Sequence, residues 1–275
     1  MSLKELISQA YKEKYAIGGF GVYNLESARA VIEAANLTQK PVFLLMTEKS
    51  LDYAGFDNLV EILLRLKKES KTEVFLHLDH GSNVETVKKC IAEGFDSVMF
   101  DGSKLPLDQN IEISRNLRQA AHRKGVIFEA EIGRVGGMED RVSATEFKTN
   151  PSEALQFASE VKPDMLAVAI GNIHGELTAA EQLDFTLLGK IQDTIKMPIV
   201  LHGCSNRLER EYKVAISEGV VKINIDTELR EAFVDGINQA MRKREKDPRE
   251  ILNIASQAIS KRVQDKIGIF SQSCC

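Results

Sequence analysis

No apolar stretch of this sequence approaches the ~20 residues that a membrane-spanning helix needs, so no membrane partner is expected. Positive charge is not in excess either. Lys and Arg number 36 against 40 Asp and Glu, a formal net charge of −4. That balance offers neither the basic footprint of a nucleic-acid binder nor a polybasic membrane signal. Cysteine is sparse: Cys90, Cys204, Cys274 and Cys275 follow no regular spacing. A disulfide framework is therefore not expected, and a reducing compartment is. Lys4, Glu5, Lys12, Glu13 and Lys14 interrupt an amphipathic amino-terminal pattern, which leads us to expect no secretory signal. With 43% hydrophobic and 28% charged residues over 275 positions, the composition is that of a cytoplasmic globular protein. The length suits one large α/β barrel or two small domains.

Short apolar runs recur along the chain, separated by longer amphipathic stretches. Strands are expected over 16–20, 42–46, 74–79, 97–100, 126–131, 166–170, 199–202 and 221–225. Helical patterns lie between them, such as 84–93 closed by Gly94 and 109–124 closed by Gly125. Eight strands, each followed by a helix, predict a parallel sheet, and at this length they predict closure into a single-domain (β/α)8 TIM barrel spanning 1–275. An open doubly wound sheet is the competing fold. The segment 133–151 stands out because it carries Gly136-Gly137 and several charges and shows no helical period until Ser152. Loops that long in a compact domain tend to be lids or binding elements.

Functional residues of such barrels gather at the carboxyl ends of strands. The third strand ends in Asp79-His80, the fourth in Asp101, the fifth in Glu129-Ala130-Glu131. The sixth leads to Asn172 and His174, the seventh ends in His202 and the eighth in Asn224-Ile225-Asp226-Thr227. Asp79 and His80 are neighbours in a strand and would point to opposite faces unless the chain turns, for which Gly81 is the candidate. A single histidine at a strand end is most simply a structural residue. His80, His174 and His202 at one rim, each followed by glycine, instead suggest three imidazole ligands of an open catalytic site, which suits zinc best. His77 sits inside its strand and is expected to pack or bond within the barrel. His122 is expected at a helix end near the negative dipole. Gly203-Cys204-Ser205 and the residues from Asn224 to Thr227 fall at the usual phosphate-binding corner of this fold, where glycine lets backbone N–H groups approach an anion and Ser205 and Thr227 add hydroxyls.

These residues carry a resemblance. His77 to Gly81, Asp101-Gly102-Ser103, and Glu129-Ala130-Glu131-Ile132-Gly133 with Gly136-Gly137 are close to the motifs of class II, metal-dependent ketose-bisphosphate aldolases. So are Gly171-Asn172-Ile173-His174-Gly175, Leu201-His202-Gly203 and Lys222 to Glu228, in the same order over nearly the whole chain. The family includes fructose- and tagatose-bisphosphate aldolases, and the compact length is more similar to the tagatose branch. The resemblance implies reversible cleavage of a ketose 1,6-bisphosphate to dihydroxyacetone phosphate and glyceraldehyde 3-phosphate through a zinc-stabilised enediolate. It implies Zn2+ bound by His80, His174 and His202 with Glu131 beside it, and Asp79 as acid/base on the C4 hydroxyl. It implies Glu139 as the group that moves the C3 proton, and Asn24, Thr47, Gly175, Gly203, Ser205, Asn224, Asp226 and Thr227 around the substrate and its phosphate. A monovalent cation (Na+ or K+) near that phosphate and a homodimer or homotetramer are further implications. The carboxyl-terminal helix from Arg249 onward offers an apolar stripe either for an interface or for packing on its own barrel.

The sequence departs from the family's pattern at a few positions. Cys204 and Asn206 stand where Gly or Ala and Gly are usual, Gly21 follows Phe20 where Asn is usual, and Thr47 replaces a common serine. A shifted substrate is consistent with these changes. Cys204 reads most simply as a tolerated small side chain, with sensitivity to oxidation as the other reading. A related aldolase for another sugar phosphate and a non-catalytic barrel subunit of an aldolase complex are the alternatives. A metal-dependent barrel hydrolase lacks its usual His-x-His at the first strand.

Overall fold

Eight apolar strands need both faces covered, and the chain meets this by curling the sheet onto itself inside a ring of helices. A computed structural model describes residues 1–137, 148–175 and 182–273. In chain order the elements are α1 (Leu3–Glu13), β1 (Ile17–Gly21), α2 (Leu25–Thr38), β2 (Val42–Thr47), α3 (Glu48–Ala54), α4 (Phe56–Glu69) and β3 (Val74–Gly81). They continue with α5 (Val84–Ala92), β4 (Ser97–Phe100), α6 (Leu107–Arg123), β5 (Ile127–Ile132), β6 (Gly136–Gly137), α7 (Pro151–Val161), β7 (Met165–Val168) and β8 (Ile173–His174). The last are α8 (Phe185–Ile195), β9 (Ile199–Leu201), α9 (Glu209–Ser217), β10 (Val220–Ile225), α10 (Thr227–Arg242) and α11 (Pro248–Phe270).

The barrel closes in the order β1-β2-β3-β4-β5-β7-β9-β10, all parallel, with β10 returning to β1. The expected TIM barrel is what forms, with strand limits shifted by one or two residues. Two short strands were not expected: β6 and β8 pair in parallel as a separate ribbon, with Gly137 opposite His174. The segment 133–151 thus contains a strand at Gly136–Gly137. Its helix begins at Pro151, capped by Asn150, because proline at the first helical position lacks only an N–H that would have no partner there.

Alternation along each strand sorts the interior into layers. At the amino-terminal end Ile17, Phe43, Phe75, Ile127, Met165, Val200 and Val221 form an apolar floor. Helix α1 covers it from below with Leu3, Leu6, Ile7 and Ala10. A capping box between Ser2 and Glu5 starts this helix. The outer core packs the other strand face against the helices. The apolar stripe of α11, through Ala255, Ile259, Val263, Ile267 and Phe270, is buried against the protein's own α2 and α10. His122 does lie in the last turn of α6, but its Nε2 meets Asp164 Oδ2 at 2.7 Å just ahead of β7, so a carboxylate partner adds to the dipole.

Because the α1 plug lies at the end of the barrel opposite the strand carboxyl termini, Leu6→Ala is expected to lower stability by about 3 kcal/mol. Urea unfolding should read this as a lower midpoint.

Candidate active site

Above the apolar floor, the inward positions of the strands turn polar. His77 and Asp79 on β3, Ser97 on β4, Glu129 and Glu131 on β5, and Lys222 and Asn224 on β10 all face the barrel axis, with His202 just past β9, and all are buried. All of them except Glu131 form one continuous hydrogen-bonded chain. His77 Nδ1 donates to Ser97 Oγ at 2.9 Å, and Lys222 Nζ donates to His77 Nε2 at 3.2 Å and to Glu129 Oε2 at 2.9 Å. His202 Nε2 donates to Glu129 Oε1 at 2.9 Å. Asn224 Nδ2 lies 3.0 Å from His202 Nδ1 and 2.9 Å from Asp79 Oδ1, donating to both. Burial and the Lys222 charge push His77 well below the usual imidazole range, which keeps it the neutral acceptor that this chain requires.

At the top of the chain sits the histidine cluster. Asp79 and His80 do share a cleft, but the turn falls at His80 itself and not at Gly81. His80 adopts a left-handed φ of 49°, and the β3–β4 register shifts between Leu78 and Gly81. One extra residue in β3 forms a bulge, which re-aims a side chain that simple alternation would send outward. His80 Nδ1 donates to Asp101 Oδ2 at 3.0 Å. The ring of His80 lies 4.5 Å from that of His202 and 4.7 Å from that of His174, centroid to centroid. His174 and His202 are 6.4 Å apart, because His174 arrives on the β6–β8 ribbon and not on a barrel strand.

The donor set fits a metal ion. The buried atoms His80 Nε2, His174 Nε2 and Glu131 Oε2 have no hydrogen-bond partner among the described residues, and such atoms are costly to bury unsatisfied. Ligand atoms of Asp79, His80 and His202 lie within 4.8 Å of one another, as do those of His80, Asp101 and Glu131. Asp101 and Glu129 orient two imidazoles through their far nitrogens, as carboxylates commonly do for metal-binding histidines. Glu129 and Lys222 were named from sequence within the polar strand ends and motifs, but neither was given a role. The available signal was a charge at an inward position of each strand, one turn of the pleat below Glu131 on β5 and Asn224 on β10.

Electrostatics separates the three imidazoles. Desolvation lowers His80, but Asp79, Asp101 and Glu131 outweigh it and lift His80 to about 10. Burial and the neighbouring His80 charge push His174 down to about 3 and His202 well below its usual value. Burial raises Asp79, with His80 and Lys222 opposing it, and raises Glu131 well above the carboxylate range, with Asp101 adding to the effect.

Above these groups opens a cleft of about 790 Å³. Thr47, Asp79, His80, Glu131, His174, Gly203, Ser205, Asn224, Asp226 and Thr227 line it, together with Lys49, Lys104, Arg134 and Arg230. Thr47 also caps α3 by accepting from Ser50 N. Asn24 and Gly175 are not among the cleft-lining residues; Asn24 instead caps α2 through Ser27 N. Glu139 lies outside the described residues.

The departures at Gly21, Cys204 and Asn206 each have a local cause. A Cβ at Gly21 would lie 2.3 Å from Asp226 Oδ1, so glycine makes room for that carboxylate at the rim. Gly203 has φ 57°, and a Cβ there would lie 2.4 Å from the Ile173 carbonyl oxygen. Asn206 is also left-handed, at φ 60°, a conformation that asparagine tolerates better than most non-glycine residues. Cys204 is buried, its Sγ bonds the His202 carbonyl, and burial pushes its thiol up to about 12, far from a reactive thiolate.

Two outcomes follow for zinc. His80 carries a proton through neutral pH in the metal-free protein, whereas His174 and His202 are already neutral. Zinc must therefore displace that proton, and affinity should rise by up to about tenfold per pH unit between about pH 6.5 and 8.5. Titration calorimetry in buffers of different ionisation enthalpy should record proton release, and a pH-independent affinity would count against this geometry. Glu129→Gln presents an amide N–H to His202 Nε2 and so moves the ring hydrogen to Nδ1, the nitrogen facing Asp79. Zinc affinity should fall about 10- to 100-fold, while Ser97→Ala at the far end of the chain should change it by less than about twofold.

The family profile described as fructose-bisphosphate aldolase class-II matches residues 1–273. A sulfofructosephosphate aldolase of Alkalicoccus urumqiensis is 34% identical over 98% of this chain and 96% of its own length. Among solved structures, the YdjI aldolase of Escherichia coli K12 is similar at a TM-score of 0.88 and 28% identity, covering 99% of this chain and 97% of that one. A fructose-bisphosphate aldolase of Campylobacter jejuni, at a TM-score of 0.85 and 22% identity over 100% and 95% of the two chains, has the same fold.

Proposed function

Because this chain belongs to the class II fructose-bisphosphate aldolase family and is therefore a class II aldolase, a lyase, we propose that it cleaves a ketose 1-phosphate bearing a second anionic group at C6. The products would be dihydroxyacetone phosphate and a three-carbon aldehyde. The observation that carries this reading is the position of Asp79. It is held by Asn224 and lines the same cleft as Gly203 and Ser205 of the 203–206 loop and the cationic side chains of Lys49, Lys104, Arg134 and Arg230. In the barrel order, β10 lies across from β4 and β9 across from β3. Lys104, which follows β4, therefore stands opposite Thr227, which follows β10, and Arg134, Gly203 and Ser205 line the same cleft. A substrate charged at both ends suits that span.

A zinc ion held by His80, His174 and His202, with Glu131 alongside, would supply a Lewis acid that polarises the substrate carbonyl. Asp79 would take the C4 hydroxyl proton as the C3–C4 bond breaks, its raised pKa bringing it closer to working pH. Asn224 would orient Asp79, and Gly203, Ser205, Asp226 and Thr227 would hold the C1 phosphate. Glu139, assigned by its sequence match alone, would move the C3 proton of the triose phosphate. The whole chain would act as one domain in a homodimer or homotetramer, with an interface other than the α11 stripe, which the barrel itself buries.

Fructose and tagatose 1,6-bisphosphates are the first candidate substrates. The 34% identity to a sulfofructosephosphate aldolase favours a second reading in which the far anion is a sulfonate. A coupled assay for triose phosphate release on all three sugars, with chelator and zinc add-back, separates them by kcat/KM. Cleavage should be lost with chelator and restored by zinc, and Asp79→Asn should lower kcat by about 10²- to 10⁴-fold. If zinc-loaded protein cleaves none of the three, the reading fails.

A further inference from the structure

Beneath the 203–206 loop, on the side away from the cleft, lies a second buried polar network that the proposed reaction does not use. Glu228 on α10 and Lys266 on α11 are both buried and meet at 3.0 Å. Lys266 Nζ also donates to the Tyr212 hydroxyl at 3.1 Å. That hydroxyl donates in turn to the Cys204 carbonyl at 2.6 Å, and Glu228 Oε1 accepts from the Asn206 amide at 3.1 Å. The network therefore grips the loop at two backbone points that flank Ser205.

We propose that Tyr212, Glu228 and Lys266 are positioning residues that hold the 203–206 loop in the shape that receives the substrate's phosphate. The carboxyl-terminal helix α11 would thereby belong to the anion-binding apparatus. This rests on the reading of that loop as the phosphate site.

The loop's conformation gives the reason. Gly203 and Asn206 both adopt left-handed backbone at the two ends of a four-residue turn. For a non-glycine residue such a conformation is unfavourable, and it persists only where the surroundings over-determine it. The Asn206 side chain adds one contact, to Glu231 Oε2 at 3.1 Å, but that contact is exposed. The buried restraints come from the network. Burial raises Tyr212 far above the usual phenol range, so its hydroxyl keeps the proton that it donates to Cys204. The inner side of the loop is then free to present Gly203 and Ser205 to the cleft, with Ser205 Oγ accepting from the Asp226 amide at 3.3 Å. Arg262 approaches Glu228 at 3.8 Å from the more exposed side of α11, so the glutamate faces two cations on that helix.

The test uses the zinc-loaded full chain with inorganic phosphate as the probe, titrated by calorimetry. Tyr212→Phe removes one hydroxyl and keeps the ring on Phe270. It should raise the phosphate dissociation constant about fivefold, the effect of one buried hydrogen bond. Lys266→Met should raise it further, and Lys266→Arg should restore most of the loss. In turnover, KM should rise with kcat at saturation little changed, and zinc content should stay constant. Ile259→Val, which trims the α11 core without touching the network, lowers stability and should leave phosphate affinity unchanged. Should Lys266→Met fail to fold, Tyr212→Phe decides alone. Unchanged phosphate affinity in Tyr212→Phe would overturn the proposal, and so would a wild-type chain that binds no phosphate. Phosphate binding that weakens in Tyr212→Phe, in a protein that cleaves no ketose phosphate, would sustain it and sink the aldolase substrate reading alone.

Discussion

Lys222 and Glu129 face each other at 2.9 Å in the middle of the barrel, and neither side chain has any exposed surface. Two opposite charges so deep are tolerable only as a pair, and removing one partner of such a pair typically costs about 3–5 kcal/mol. The arrangement above them follows from this contact. Lys222 spends one of its remaining hydrogens on His77, which fixes that ring as neutral. Glu129 spends its second oxygen on His202 Nε2, which turns the Nδ1 lone pair towards Asp79 and the cleft. Asn224, two residues beyond Lys222 on the same face of β10, then ties His202 to Asp79. The orientation of the cleft's imidazole and carboxylate is thus settled a layer below the surface that substrate would touch.

A second constraint operates in the backbone. The left-handed residue in β3 is His80, a candidate ligand, and the bulge there lets two sequence neighbours serve the same cavity. Parallel pairing to β2 on one side and β4 on the other holds this irregularity in place. The 203–206 loop solves a similar problem without a strand partner, and relies on buried side chains from α9, α10 and α11. The cleft therefore combines strand-borne polar groups with the 203–206 loop, each stiffened by different parts of the fold.

Much of this was legible in the sequence because strand periodicity is a local property. Apolar runs ending in Asp79-His80, Glu131 and His202 gave the barrel and its polar rim, while Lys49, Lys104, Arg134 and Arg230 in the cleft were not singled out. What remained hidden depends on contacts between distant residues. Glu129 meets His202 across 73 positions and Lys222 across 93, and no spacing rule links them. A charge inside an apolar run such as Val220 to Ile225 marks an anomaly without naming its partner. The bulge at His80 was displaced in expectation to Gly81, since glycine is the usual bearer of positive φ. Asn24 looked like a cleft residue but is engaged as a helix cap, a role its Asn-x-x-Ser spacing was equally able to serve.

The same division bears on how substrate choice can vary while the chemistry stays fixed. Asp79, Asn224 and Glu131 project from barrel strands whose neighbours on both sides are paired, with His202 just past β9, and altering Asp79, Asn224 or His202 disturbs the buried chain beneath. Lys49, Lys104 and Arg134 instead project from α3 or from the connections after β4 and β5, beyond the hydrogen-bonded ladder. Arg134 donates to the backbone carbonyls of Ser103 and Lys104, contacts that do not depend on the side chains at those positions. Replacement on that rim changes what the far end of a substrate meets without touching the ion pair that orients the reacting groups. On the proposed reading, a barrel of this kind would exchange one distal anion for another, phosphate or sulfonate, at little structural cost.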